Sequence, residues 1–339
     1  KKGPAFLKYA VENAGWERSK KLDIGADISL FNCLNVTFDY FRDKRDRILQ
    51  KRSSWPSILG YSNAVPWGNV GKVLNQGVEL SVNYRKNLSK DLSVDVRGNF
   101  TYTKNKYVYN DEPDYPHVWQ TLTGKPLAAT YGYIADGLFK DENDIANSPS
   151  QSSLGSTVMP GDIKYRDVNA DGRITENDKV MLSKFGMQPC IQYGFGANLV
   201  WKKWDFGIFF NGSANRTLMI NNIAPFCSDD GNQDRNVMTF ISDDYWHEST
   251  PDFNAKYPRL GVSNAQVANN MVASSYWMRN GSFLRFKTLE LGYTFPFVRV
   301  YFSGDNLAVW SPFKYWDPEL SYSAYPLHRT FNIGAQFTF

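Results

Sequence analysis

Apolar and polar residues alternate with a period of two over much of this 339-residue chain, which restricts each such stretch to a strand with one face in an apolar medium. Leu22, Ile24, Ala26, Ile28 and Leu30 interleave with Asp23, Gly25, Asp27 and Ser29. After a short turn near Asn32 and Cys33 the alternation resumes with Leu34, Val36, Phe38 and Tyr40, so the pair reads as a hairpin. The pattern returns in Val78–Tyr84, in Leu92–Tyr102 and in Ile191–Trp201, then across Lys202 and Lys203 into Trp204, Phe206, Ile208 and Phe210. It closes with Leu289–Phe295, Val298–Phe302 and Phe331–Phe339. Roughly ten strands of about ten residues are expected, the length a tilted strand needs to cross a bilayer.

Composition decides which apolar medium this is. Aromatic residues make up 16% of the chain while the mean hydropathy is only -0.46. No apolar run of eighteen residues exists, so an ordinary transmembrane helix is excluded. A spanning β-protein faces lipid with every second residue, and it stays hydrophilic on average while carrying aromatics for two interfacial girdles. Strand ends here are aromatic, as at Tyr40, Tyr84, Tyr102, Trp201 and Trp204. Short turns alternate with long polar connections such as Lys104–Gln188 and Ala214–Ser282. That asymmetry belongs to outer-membrane barrels. A secreted β-sandwich also alternates, but its strands are usually shorter, at about five or six residues. The fold class expected is all-β, a transmembrane antiparallel β-barrel.

The remaining composition removes other functions. A net charge of +4, from 38 basic and 34 acidic residues spread along the chain, is too dispersed for a nucleic-acid partner. Cys33, Cys190 and Cys227 form neither a disulfide framework nor a CxxC metal spacing, and His117, His247 and His328 fall at no metal or triad spacing. No Ser/His/acid or paired-carboxylate constellation supports an outer-membrane enzyme, so no enzymatic activity is expected. The opening KKGPAFLKYA has no export signal of its own, so an outer-membrane chain of this kind is expected as a processed piece, a fragment or a subunit.

One loop carries specific chemistry. In DVNADGRITEND, side-chain oxygens fall at Asp167, Asn169 and Asp171, a turn glycine at Gly172, a backbone carbonyl position at Arg173, a water-mediated position at Thr175 and an acid at Asp178. This is the ligand spacing of an EF-hand-type calcium loop, with Ile174 as the apolar anchor. Asp178 departs from the rule, which places a bidentate Glu there. Aspartate is one methylene shorter, as in dockerin-like calcium loops, so the site is expected to be tighter or weaker. The expected ion is structural, calcium before magnesium. An Asp/Asn/Gly-rich turn that binds nothing is the plain alternative.

Several segments resemble the SusC/RagA family of TonB-dependent outer-membrane transporters, in collinear order over nearly the whole chain. They are WERSKKLDIGADISLFNCLNVTFDYFRDKRDRIL, GKVLNQGVELSVNYRKNLSKDLSVDVRGNFTYTKNK, GKPLAATYGYIADGLF, GSFLRFKTLELGYTFP, VRVYFSGDNLAVW, WDPEL and YPLHRTFNIGAQFTF. The last strand ends on Phe339, and a terminal aromatic there resembles the signal by which outer-membrane barrels are recognised for assembly. The resemblance implies that residues 1–339 are the C-terminal portion of a 22-stranded plugged barrel, with a long extracellular loop region at about 105–189 that includes the ion loop at 167–178, and with the plug domain absent from this chain. An open half-barrel in lipid would expose unpaired strand edges, so the rest of the transporter is an expected partner.

The same resemblance implies TonB-dependent import of oligosaccharides or peptides across the outer membrane of a Gram-negative bacterium. The expected partners are a SusD-like surface lipoprotein, TonB acting through the plug-bearing part, and outer-membrane lipid. Tyr115, Trp119, Tyr245, Trp246, Tyr276 and Trp277 lie in or near the long loops and are candidates to stack on sugars; packing between loops is the competing role, so the substrate-binding residues stay unassigned. A secreted calcium-dependent glycan-binding module and a barrel enzyme are the alternative functions.

Overall fold

The computed structural model describes residues 9–11, 14–56, 58, 64–221, 237–261, 264–320 and 324–338. Its strands are β1 (Arg18–Leu30), β2 (Leu34–Lys51), β3 (Trp67–Ser89), β4 (Leu92–Tyr109), β5 (Thr130–Gly132), β6 (Ala135–Leu138), β7 (Ile163–Tyr165), β8 (Val180–Ser183), β9 (Ile191–Trp201), β10 (Trp204–Ala214), β11 (Thr217–Met219), β12 (Met278–Asn280), β13 (Phe283–Thr294), β14 (Val298–Trp310) and β15 (Thr330–Phe337). Three short helices, α1 (Glu142–Ala146), α2 (Thr239–Ser242) and α3 (Asn264–Met271), lie in the connections.

Nine strands form one sheet in the order β1-β2-β3-β4-β9-β10-β13-β14-β15, every pair antiparallel, and the sheet is an open arc. The six short strands form separate two-stranded ladders in the loops. The wall therefore holds nine strands among the described residues against the ten expected. The alternation accounts for its register. Leu30, Leu34, Tyr84, Val96, Ala197, Ile208, Leu289, Gly304 and Phe331 are aligned across all nine strands. One residue away, on the opposite face, Ser29, Asn35, Asn83, Arg97, Gly196, Phe209, Thr288, Asp305 and Thr330 are aligned. Gly196 has a steric reason: a Cβ there would meet Phe209 Cδ2 at 2.8 Å, and Phe209 lies under the Arg97 guanidinium, 5.5 Å from its ring centre.

The apolar face is left uncovered: Ile24 is 59% exposed, Phe206 38%, Leu291 42% and Ile333 84%. An apolar surface spanning nine strands cannot face water in a soluble protein, and lipid is the medium that satisfies it. At 23 residues β3 is far longer than a bilayer crossing; at about 3.3 Å per residue it extends well beyond the roughly 30 Å hydrocarbon core. The expected ten-residue interiors describe the crossing alone, because the ladders continue above it.

Four connections are short, at 31–33, 90–91, 202–203 and 295–297, and they alternate with long ones at 52–66, 110–190, 215–282 and 311–329. The first short turn has φ of 56° at Phe31 and 54° at Asn32, with the Cys33 N–H donating to the Leu30 carbonyl at 3.1 Å. Positive φ at both residues matches the right-handed twist of the flanking strands. The long connection after β4 runs from 110 to 190 instead of about 105–189, since pairing with β3 persists to Tyr109.

The water-excluding core lies in the loops, not behind the wall. Tyr133, Ile163, Tyr165, Ile174, Ile220, Ile241, Tyr257, Val267 and Trp277 are buried in one cluster drawn from two of the long connections, and Phe313 of a third joins it. Arg285 fastens this layer to the wall, and Arg216 ties three of its connections to one another. Buried Arg285 of β13 donates from Nη2 to both Asp317 carboxylate oxygens at 2.7 and 2.8 Å, and from Nε to Glu319 at 2.8 Å. Arg216 donates to the carbonyls of Met187 and Pro318, both at 2.6 Å.

Candidate functional site: the loop layer and its ion-type turn

The turn at 167–178 is built on backbone amides. Asp167 accepts from Ala170 N–H at 2.7 Å and Asp171 N–H at 3.3 Å through Oδ1, and from Gly172 N–H at 2.7 Å through Oδ2. Ala170 has φ of 59° and Gly172 of 82°, the two left-handed residues that let the chain wrap around one carboxylate. Asp178 is fully buried, and its oxygens accept from Val168 and Thr175 N–H groups, each at 2.8 Å. The Thr175 hydroxyl caps the following 3-10 turn by accepting from Asn177 N–H at 3.2 Å. Asn169 donates to Asp171 at 2.9 Å, and Asp171 accepts from Arg173 N–H at 2.9 Å.

Ile174 is fully buried and anchors the turn as its sequence position implied; its N–H donates to the Ser150 carbonyl at 2.8 Å, and Ser150 N–H donates to the Gly172 carbonyl at 3.0 Å. The backbone is thus wrapped around the Asp167 carboxylate. The side chains are arranged differently: among the described residues no group of three or more His, Cys, Asp or Glu side chains converges on a metal-holding point. Asp178 is instead held against the loop amides. Its Oδ1 accepts from two of them, Val168 at 2.8 Å and Asn169 at 3.4 Å.

The turn is tied to the segment 117–120. The Trp119 indole donates to the Asn177 carbonyl at 2.8 Å, and the Gln120 amide donates to Asn177 Oδ1 at 3.0 Å. Trp119 stacks on His117 with centroids 4.4 Å apart and planes 3° from parallel. Of the six loop aromatics, Trp246 and Trp277 are core residues, and Trp277 donates to the Asn270 carbonyl at 2.6 Å. Tyr276 is partly buried and donates to the Ala255 carbonyl at 3.2 Å, and Tyr245 packs against the same core. Tyr115 is exposed. Packing, the competing role, accounts for Tyr245, Trp246, Tyr276 and Trp277.

The buried polar groups serve the same layer. Asp162 is fully buried and bound to Arg259, to Asn270 at 2.8 Å and to Met159 N–H at 2.9 Å. Burial pushes its carboxyl above the usual range, although Arg259 opposes the shift. Burial also raises the phenols of Tyr133 and Tyr165. His247 and Ser249 are adjacent, Oγ to Nδ1 at 2.7 Å, but the Ser249 N–H also reaches that nitrogen at 3.1 Å, the geometry of a local turn. Sequence reasoning missed Arg285, Arg216 and Asp162, because nothing in their local spacing distinguishes a buried charge from a surface one. Phe339 and Cys227 lie outside the described residues.

A lipid-facing antiparallel wall, with tight turns at one end and a folded loop layer at the other, defines a transmembrane β-barrel of the outer-membrane type. The profile of the family described as "TonB dependent receptor-like, beta-barrel" matches residues 4–175, and the chain belongs to that family. It is an outer-membrane protein of the Gram-negative kind. It is 27% identical to "TonB-dependent receptor P3" of Formosa agariphila over 99% of this chain and 36% of that protein. To "TonB-dependent receptor SusC" of Bacteroides thetaiotaomicron it is 25% identical over 97% of this chain and 32% of that protein. Among solved structures it is similar in fold to the RagAB peptide importer in its open-open state, with a TM-score of 0.66 at 20% identity over 96% of this chain and 35% of that one. The SusC/RagA resemblance read from the sequence is therefore sound, and the proteins it matches are named as receptors and importers, not enzymes. The chain spans about a third of the length of these relatives.

Proposed function

We propose that this chain supplies part of the wall and extracellular loop layer of a TonB-dependent importer that takes up oligosaccharides or peptides. The carrying observation is the continuous nine-stranded lipid-facing wall crowned by loops with a core of their own. Such a wall positions a rigid mouth above a lumen, while the loops provide the variable chemistry that captures cargo. On this reading the plug and the other wall strands form the remainder of the transporter, a partner of this chain. TonB acts through the plug, and a SusD-like lipoprotein shares capture at the mouth. The test is uptake of labelled oligosaccharides and peptides by cells with the gene intact, deleted, or combined with loss of TonB. Import that depends on both supports the reading; uptake of every cargo unchanged by deletion refutes it.

A second proposal concerns the 167–178 turn, which we infer to hold one structural calcium ion in preference to magnesium. Its ligands are the side chains of Asp167, Asn169, Asp171 and Asp178, the Arg173 carbonyl, and a water held at Thr175. The support is the wrapped backbone around Asp167 and the buried Ile174 anchor. Flexible all-oxygen coordination suits calcium better than magnesium's strict octahedron. An ion here fixes the loop geometry and, through the Asn177 carbonyl, the Trp119 indole bonded to it.

A further inference from the structure

Where the wall meets the loop layer, its polar face holds a pocket of about 690 Å³, inside the roughly 300 to 1,000 Å³ of small-molecule sites. Its floor follows one register row. Asn99 of β4, Gly194 of β9, Asn211 of β10 and Arg285 of β13 stand side by side, two residues along the strands from the row that contains Arg97, Gly196 and Phe209. The next row contributes Gln192 and Ser213. A Cβ on Gly194 would lie 2.7 Å from Asn99 Oδ1 and 3.0 Å from Phe209 Cζ, so the bare glycine lets both side chains lie low against the sheet and leaves room above them. Gln188, Arg216 and Glu319, one from each of three long connections, close the pocket from the loop side.

The fold leaves polar groups here unused. Ser213 is 5% exposed, and its hydroxyl, like the Asn211 carboxamide oxygen, is buried with no hydrogen-bond partner. Folded proteins meet nearly all such groups, because an unmet one costs stability. Two of them on one strand, in one pocket, point to a partner supplied from outside. The charges say what kind. Among the described residues Arg216 and Glu319 are the charged side chains lining the pocket, one of each sign, and Arg285 beside them is met by Asp317 and Glu319. A charged ligand group therefore gains no net attraction. Four carboxamides line the same space, those of Asn99, Gln188, Gln192 and Asn211, and a carboxamide both donates and accepts. Adjacent ring hydroxyls of a sugar ask for that pair of roles from one group, while Phe209 offers an apolar surface to the C–H face of the ring.

On the import reading above, we propose that this pocket is a cargo subsite for a neutral oligosaccharide, with one ring hydroxyl donating to Asn211 Oδ1 and another bonded to the Ser213 hydroxyl. The cargo of that reading is thereby narrowed from sugar or peptide to uncharged sugar. Cargo coming through the loops reaches the pocket as it meets the wall, since β9 begins and β10 ends there. A peptide is the competing cargo, and a side chain of the plug-bearing part is the competing occupant.

The test is equilibrium binding to the whole receptor in detergent, first on an array of neutral oligosaccharides, uronate oligosaccharides and short peptides, then by calorimetry with the best neutral sugar. A neutral oligosaccharide should bind most tightly. Asn211→Leu removes an unmet polar group, so assembly and thermal stability should hold or rise, while affinity for the sugar falls by about threefold to tenfold, the worth of one hydrogen bond. Gly194→Ala, which pushes Asn99 and Phe209 into the pocket, should also weaken the sugar. Tighter binding of a uronate or a peptide, no binding across the neutral array, or affinity indifferent to both substitutions would overturn the proposal. So would a fall in assembled receptor with Asn211→Leu, which would assign the pocket to the plug-bearing part. Binding and uptake fail separately: sugar affinity that responds to the substitutions in a receptor without TonB-dependent uptake keeps the subsite and removes the importer, whereas TonB-dependent uptake with an indifferent pocket removes the subsite alone.

Discussion

Arg285 holds Asp317 with one guanidinium nitrogen placed between both carboxylate oxygens, at 2.7 and 2.8 Å, although the two residues belong to different layers. Arg285 is a wall residue of β13 and is completely buried; Asp317 is in the connection 311–329. A charge excluded from water must be met locally, so the loop segment around Asp317 and Glu319 is fixed wherever the wall puts Arg285. Arg285→Leu should therefore release that segment, at a cost of about 3 kcal/mol to its ordering, while the wall still assembles. Limited proteolysis of intact cells should cut at 311–329 in the variant alone. Equal resistance would mean that packing by Phe313, and not the ion pair, holds the loop.

The ion-type turn predicts a local effect. Asp167→Ala with Asp171→Ala should speed amide exchange over 163–183 and at Trp119, and calcium chelation of the wild type should do the same. Extracellular calcium modules bind at about 10⁻⁴ to 10⁻³ M, so the protection should titrate in that range. Exchange that ignores both calcium and the substitutions would show that the amide bonds to Asp167 and Asp178 suffice to hold the turn.

Trp277 separates packing from recognition. Its indole is buried with Tyr257 and Tyr276 around it, and removing it empties a large volume. Trp277→Ala should cost the loop layer about 3 to 5 kcal/mol, seen as loss of loop protection at an unchanged level of assembled barrel. Tyr115→Ala, at an exposed position, should leave loop protection intact, so any fall in cargo affinity there reports contact and not folding.

Phe339 tests assembly. It follows a strand whose lipid-facing residues include Phe331, Ile333, Ala335 and Phe337. Phe339→Asp should lower the amount of barrel in the outer membrane more than it changes the affinity of the molecules that do assemble. Wild-type amounts at the surface, measured by antibody labelling, would dismiss the role.

The wall was readable because its physics is periodic. Each residue from Leu22 to Leu30 states its own face, and the ladder then aligns Leu30 with eight further strands without any information from distant sequence. The turn at 167–178 was readable for a related reason, since Asp167, Gly172 and Ile174 act through fixed offsets along one segment. The loop core was not readable. Ile163, Ile220 and Trp277 lie far apart in sequence, in stretches with no period, and only the folded chain brings them together. The same holds for Asp162 with Arg259, whose pairing spans two connections. The extra length of β3 was hidden because Gly68, Gly71 and Lys72 interrupt the alternation while the backbone ladder continues past them.

The strict division between turns and loops has a consequence for descent. A single-residue insertion within a strand such as β9 would turn every following side chain to the wrong medium until a bulge absorbed it, so the wall admits little change in length. At one end two or three residues close each hairpin, and there is no slack to vary. The other end carries connections as long as 81 residues, from 110 to 190, joined to the wall by a handful of side chains. Lineages can therefore lengthen, shorten or exchange whole connections there while inheriting the barrel unchanged.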